Sequence, residues 1–354
     1  MNAAPLLAAC RRQPATRVPI WLMRQAGRYL PEYRALRARH GMLDIIGDAE
    51  LAATVTLQPL QRFDLDAAII FADILPPLIG MGLDLSFGNG TSPAIHNPVR
   101  SAADVEALRI PEPRDHLRPT LRALELVRRE LPPTVALIGF AGAPFTLATY
   151  AVEGSTSRQF TLTKRMMFEQ PVAWRALMAK LARLVTDYLI AQAEAGAQVL
   201  QIFDSWVGTL SAQDYREHVL PHVREVCAGV QRTGVPLIYF STGTGGMLDL
   251  LGSLPCAALS LDWRVDLARA RRALPDHLAL QGNLEPALLF APPEVMEQRA
   301  RAILAGAAAD PGFIFNLGHG ILPQTPPESV ARLVEVVHGH EVPVPGAAPG
   351  PAGA

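Results

Sequence analysis

The chain of 354 residues carries 32 Lys and Arg against 33 Asp and Glu, a formal net charge of -1. A nearly neutral chain has no general attraction for nucleic acid or an anionic membrane, so any positive field has to be local. The longest uncharged run, Leu131 to Val152, is broken by Pro132, Pro133, Gly139, Gly142 and Pro144, which excludes a continuous membrane-spanning helix there.

Three scattered cysteines, Cys10, Cys227 and Cys256, suit neither a disulfide framework nor a metal cluster and fit a reducing, cytoplasmic setting. Leu7 to Cys10 imitates a lipoprotein cleavage box. No basic residue precedes it and its apolar region is too short for a signal peptide, so secretion is not expected.

In chain order, short apolar runs alternate with longer helical patterns, which predicts a parallel sheet wrapped by helices. Eight strands are predicted: Ile20 to Met23, Ala67 to Phe71, Val135 to Phe140, Val199 to Phe203, Leu237 to Phe240, Ala258 to Leu261, Leu278 to Gln281 and Phe313 to Asn316. Eight closes a barrel, so the expected fold is a single-domain (β/α)8 TIM barrel with its site at the carboxyl ends of the strands. Pro171 to Ala195, Gln213 to Gln231 (kinked at Pro221) and Pro326 to His338 read as covering helices. Leu83 to Val99 reads as a hairpin excursion turning at Asn89-Gly90. The expected organisation is an N-terminal extension over 1–16, the barrel over 17–340, and a disordered Pro, Gly and Ala tail over 341–354.

The chain is organised around Val18 to Arg37, VPIWLMRQAGRYLPEYRALR. The first predicted strand delivers Arg24 and Arg28 to one place. They are either solvated, paired with nearby acids such as Glu32, or bound to an acidic small molecule, for which guanidinium forks are well shaped. Gly27 allows close backbone approach to a ligand, and Pro31 keeps a helix from carrying the arginines away. Further polar residues fall at strand ends: Asp73, Ser205, Asn283 and His319. A ring of them around one mouth is what a substrate pocket requires. Asp73 stands between Ile69-Ile70-Phe71-Ala72 and Ile74-Leu75-Pro76-Pro77, so it needs a cationic or N–H partner; a salt bridge to Arg24 or Arg28 is one solution.

The segment MRQAGRYLPEYR closely resembles the signature of the uroporphyrinogen decarboxylase family. The resemblance continues in family order through IIFADIL (Ile69 to Leu75), GFAGAPFTLATYAVEG (Gly139 to Gly154), FDSWVG (Phe203 to Gly208), LQGNLEP (Leu280 to Pro286) and NLGHGILP (Asn316 to Pro323). It implies a carboxy-lyase that converts the four acetates of uroporphyrinogen III to methyls, giving coproporphyrinogen III and CO2 in haem and chlorophyll biosynthesis. It also implies that no cofactor or metal is used and that the enzyme is a homodimer. The family's substrate contacts carry over to Arg24, Gln25, Ala26, Gly27, Arg28, Arg37, Asp73, Tyr150, Ser205 and His319, with Asp73 facing the pyrrole N–H groups and Arg24 a candidate for proton delivery. The glycines flanking His319 favour close backbone approach to a ligand. Ala72 stands where many relatives have serine, and Leu322 where some have tyrosine.

Other patterns carry less. His218 and His222 have metal-pair spacing, but no glutamate follows the first and Pro221 interrupts the turn. Ser241 to Gly246, STGTGG, lacks the lysine of a nucleotide loop and reads as pocket wall. A related barrel methyltransferase with a zinc-bound thiol would need a His and Cys cluster that these cysteines do not form. A Schiff-base aldolase would need a lysine at a strand end, and the only two, Lys164 and Lys180, lie in helical stretches. A non-catalytic porphyrinogen-binding protein would share the contacts and differ in releasing no CO2.

Overall fold

The computed structural model describes residues 4–88, 92–307 and 310–340. Seven strands form one curled, wholly parallel sheet: β1 (Ala67–Ile69), β4 (Ala136–Gly142), β5 (Val199–Asp204), β6 (Leu237–Ser241), β7 (Ala258–Ser260), β8 (Ala279–Leu284) and β9 (Phe313–Leu317), neighbours in that order. Between the first two lies the predicted hairpin, β2 (Leu85–Phe87) antiparallel to β3 (Pro93–Ile95). Its Asn89-Gly90 tip and the 341–354 tail lie outside the described residues.

The predicted first strand, Ile20 to Met23, is reduced to a single bridge, Ile20 beside Phe315. The segment still lies between the two edges of the sheet: Phe315 N donates to the Pro19 carbonyl at 2.8 Å, and Asp66 N to that of Ile20 at 2.9 Å. The ladder stops because side chains take the next amides. Leu22 N donates to Gln25 Oε1 at 3.0 Å and Met23 N to Asn316 Oδ1 at 3.1 Å, while Gln25 Nε2 donates onward to the Ala67 carbonyl at 2.9 Å. Two amide side chains thus join edge to edge where a regular eighth strand was expected.

Below that seam, Asp66 is buried and ties three elements together. It accepts from Ile20 N at 2.8 Å, from Arg17 Nε at 3.0 Å, and lies 2.9 Å from His338 Nε2 at the end of the last helix, Pro327–His338. The concave face of the curled sheet holds a polar layer as well as an apolar one. Trp21 Nε1 donates to Gln281 Oε1 at 2.9 Å, and Gln281 Nε2 donates to Ser260 Oγ and Gln201 Oε1 at 2.8 and 3.1 Å.

Outside the sheet, Pro171–Glu194 forms the long covering helix. The predicted kinked helix is two, Ala212–His218 and Leu220–Gln231, because Val219 leaves helical geometry and Pro221, lacking an N–H, is suited only to a first turn. Residues 4 to 12, read from sequence as an extension, are packed: Pro5–Cys10 is a helix with Leu6 and Ala9 fully buried, and Arg12 pairs with Asp310. Among the described residues no helix is long and apolar enough to cross a membrane.

Asp66→Ala removes the acceptor for Ile20 N, Arg17 and His338 together. It is expected to lower the unfolding free energy by about 3 kcal/mol or more in urea titration, and a loss under about 1 kcal/mol would show that the seam holds without it.

Candidate active site

A cavity of about 590 Å³ opens at the carboxyl ends of the strands. The structure brings Arg24, Ala26, Gly27, Arg28, Arg37, Asp73, Tyr150, Ser205 and His319 together as lining of this one cavity. Gln25 is not among its lining residues: it is 1% exposed, and its amide is the brace described above. Asn283 is likewise turned away, its Nδ2 donating to the Asp262 and Val265 carbonyls at 2.8 and 2.7 Å.

Arg24 takes the left-handed backbone conformation, φ 63°, an uncommon one for a side-chain-bearing residue. The turn that follows explains the glycines. A Cβ at Gly27 would stand 2.9 Å from the Arg24 carbonyl oxygen, and a Cβ at Gly320 would run into the Arg24 side chain. Gly318 is pressed against the backbone of Trp263. These glycines make room for protein atoms, and Gly27 and Gly320 also line the cavity. Pro31 opens the helix Pro31–Arg37, so Arg24 and Arg28 stay in the turn ahead of it.

Glu32 pairs with Arg62 instead of either site arginine. Among the described residues, Arg24, Arg28 and Arg37 have no carboxylate in ion-pair contact; Arg37 Nη1 donates to the His40 carbonyl. Nor does Asp73 pair with an arginine: its Oδ1 accepts from Leu75 N at 2.9 Å. Burial raises the Asp73 carboxyl above the usual range, opposed by that N–H and by the charge of Arg24. Burial, then the nearby Asp73 charge, raises the Tyr150 phenol, which is therefore a proton-bearing donor at neutral pH.

His319 completes the wall. Burial and the Arg24 charge pull its imidazole down to about 4, and its Nδ1 accepts from Gly320 N at 2.7 Å. A neutral ring with Nδ1 so engaged carries its proton on Nε2 and can donate it. An aromatic chain from neighbouring strand ends leads to it: Phe140 to Phe203 at 5.5 Å, Phe203 to Phe240 at 5.5 Å, and Phe240 to His319 at 5.8 Å between ring centres. All three phenylalanines line the cavity and were missed as site residues. Their signal is positional, the last inward-facing apolar residue of each strand.

The STGTGG loop does not line the cavity, and its neighbour Phe240 does. The loop is used internally, with Thr242 Oγ1 donating to the Ser205 carbonyl at 2.7 Å and Ser241 Oγ 2.7 Å from Thr244 Oγ1. Among the described residues no three His, Cys, Asp or Glu side chains gather as a metal site. Neither lysine lines the cavity; Lys164 and Lys180 donate to backbone carbonyls elsewhere.

A curled parallel sheet with a cavity of charged and aromatic side chains at its carboxyl edge defines an enzyme of the TIM-barrel-like class. A methyltransferase from Methanosarcina mazei shares the fold with a TM-score of 0.76 at 20% identity, over 94% of this chain and 96% of that one. A putative vitamin-B12-independent methionine synthase from Listeria monocytogenes matches with a TM-score of 0.57 at 11% identity, over 95% and 98%. The sequence comparisons are narrower. The family model described as Uroporphyrinogen decarboxylase (URO-D) matches residues 1–340. Uroporphyrinogen decarboxylase of Chloroflexus aurantiacus is 55% identical over 347 residues, covering 97% of both chains. That of Roseiflexus sp. is 52% identical over 344 residues, covering 96% of this chain and 99% of its own. The chain belongs to the uroporphyrinogen decarboxylase family.

The neutral His319 makes a testable statement about pH. Its folded pKa of about 4 lies below the ordinary value, so the unfolded chain binds the proton first, and the stability held above about pH 6.5 declines as pH falls toward 4. The imidazole resonances of His319 should stay those of a neutral ring from pH 8 to about 5. A midpoint at the ordinary histidine value would remove the donor assigned here.

Proposed function

We propose that this chain removes CO2 from the acetate side chains of uroporphyrinogen, giving coproporphyrinogen, with Asp73 opposite the pyrrole N–H groups and the arginines on the peripheral carboxylates. The observation that carries it is the charge arrangement: one half-buried carboxylate without an ion pair faces a cavity whose three guanidiniums also lack acid partners among the described residues. A macrocycle with N–H donors at its centre and carboxylates at its rim supplies both complements.

The chemistry requires a place for the electrons left when an acetate loses CO2. A pyrrole protonated at carbon provides it, so the substrate acts as its own electron sink and no organic cofactor or metal is needed. The ring is then cationic, and Asp73 stabilises that charge most in the transition state. Arg24, Arg28 and Arg37 hold carboxylates, Arg24 also standing close enough to Asp73 to feel its charge. Tyr150, Ser205 and the Nε2–H of His319 donate hydrogen bonds, and backbone at Ala26 and Gly27 shapes the wall. Phe140, Phe203 and Phe240 give the ring an apolar face and keep water from the developing charge. The family resemblance further supports a cytoplasmic homodimer whose catalytic unit spans 17–340.

Asp73→Asn keeps the shape and an acceptor for Leu75 N but removes the charge. Turnover measured as CO2 release should fall about 10²-fold or more, with a smaller change in binding. Asp73→Glu should retain more activity than the amide. Because the raised carboxyl costs stability above its folded pKa, Asp73→Asn should also melt higher than wild type at pH 7. An amide variant as active as wild type would make Asp73 a structural acid.

Arg28→Ala should weaken substrate binding by about 1.5 to 3 kcal/mol, the scale of a lost charged hydrogen bond. Unchanged affinity would assign Arg28 to structure. Wild-type protein that binds porphyrinogen and releases no CO2 would be a carrier and not a decarboxylase.

A further inference from the structure

Asp204 ends β5 and is fully buried, yet its chain neighbours Phe203 and Ser205 both line the cavity. Strand alternation turns its side chain the other way, into the wall between β5, β6 and the helix Pro144–Glu153. There Oδ1 accepts from Thr146 Oγ1 at 2.8 Å and Oδ2 from Tyr239 OH at 2.8 Å, and the Tyr239 hydroxyl lies 3.2 Å from that of Tyr215. Among the described residues no cation pairs with it.

A buried carboxylate held only by two hydroxyls is expensive. Burial pushes it up to about 6, against the pull of Thr146 and Tyr239. Apolar residues of similar volume would stabilise such a wall at least as well. What the carboxylate adds is direction. Thr146 stands one helical turn before Tyr150 and presents the same face. Its hydroxyl also lies 3.5 Å from Trp206 N, and the Trp206 ring packs against Tyr150 with centres 6.4 Å apart. One carboxylate thus joins the strand end that carries Ser205 to the helix that carries Tyr150.

We propose that Asp204 is a positioning residue for the decarboxylation: through its hydrogen bond with Thr146 it sets the separation of Ser205 and Tyr150 across the cavity. The inference rests on the functional reading above. Asp204 itself touches no substrate; its effect runs through the two polar groups on either side of the Asp204–Thr146 bond.

The test uses Thr146→Val, which keeps shape and loses the hydroxyl, Thr146→Ser, which restores it, and Tyr215→Phe, which removes a buried hydroxyl of the same chain not bonded to Asp204. All are assayed well below their melting temperatures. Thr146→Val should lose turnover about 10- to 100-fold, the scale of a sub-ångström misplacement, with a smaller change in KM. Thr146→Ser and Tyr215→Phe should turn over at the wild-type level. In a cycle with Ser205→Ala, the loss from Thr146→Val should shrink, because its route through Ser205 is already gone.

Equal losses in Thr146→Val and Tyr215→Phe, no loss in the former, or full additivity with Ser205→Ala would each overturn the proposal. Those results in a wild-type background that releases CO2 leave the decarboxylase reading standing. A wild type that releases none removes that reading, and this inference with it.

Discussion

The seam between β9 and β1 is the constraint on which the rest depends. Seven strands do not complete the ring, and the segment from Pro19 to Met23 spans the gap with three backbone hydrogen bonds, from Phe315, Asp66 and Ile321, and the amide side chains of Gln25 and Asn316. Asp66 anchors the segment from below through the Ile20 amide, Arg17 and His338. Because a regular ladder ends at Ile20, the chain is free at Arg24 to enter the left-handed turn that lays its side chain past Gly320. A conventional eighth strand would carry the arginines straight on beside the neighbouring strands. The irregular closure and the cationic site are therefore one feature.

The site inverts the usual treatment of charge. Several acids and bases outside it pair, as Glu32 does with Arg62 and Asp310 with Arg12 and Arg271. In the cavity three guanidiniums and one carboxylate stand without each other, although Arg24 is near enough to Asp73 to influence it. Leaving Asp73 unpaired costs stability, while the exposed Arg24 and Arg28 stand in solvent, which fits a site whose partners arrive with the substrate. The aromatic chain from Phe140 to Phe240 raises the stakes by keeping the local dielectric low, which strengthens the charge of Asp73 and holds His319 neutral.

Much of this was legible in the residues. Seven of the eight strands lie where apolar runs predict them, within a few residues at their ends, because a parallel strand buried on both faces must be nearly continuous in apolar character. The motif order identified the family, and nine of the ten positions taken from it border the cavity. Gln25 differs because its use depends on Leu22 and Ala67, and only the fold shows that the latter is opposite it. Gly27, Gly318 and Gly320 announce close approach, but not of what. In the same way Asp204 and Ser205 are adjacent in sequence, and only strand alternation in place separates Ser205, facing the cavity, from Asp204, facing Thr146 and Tyr239.

Local pattern and chemistry determined the fold class, the order of the elements, the residue types gathered at the strand ends and the family, because these depend on neighbours along the chain. Which group pairs with which was decided only in three dimensions. Arg24 and Glu32 are close in sequence and apart in their pairing, whereas Met23 and Asn316 are separated by 293 positions and share a hydrogen bond. Pairing is a property of distance in space, and it is pairing, or its absence, that leaves Asp73 raised, His319 neutral and the arginines open to a carboxylate.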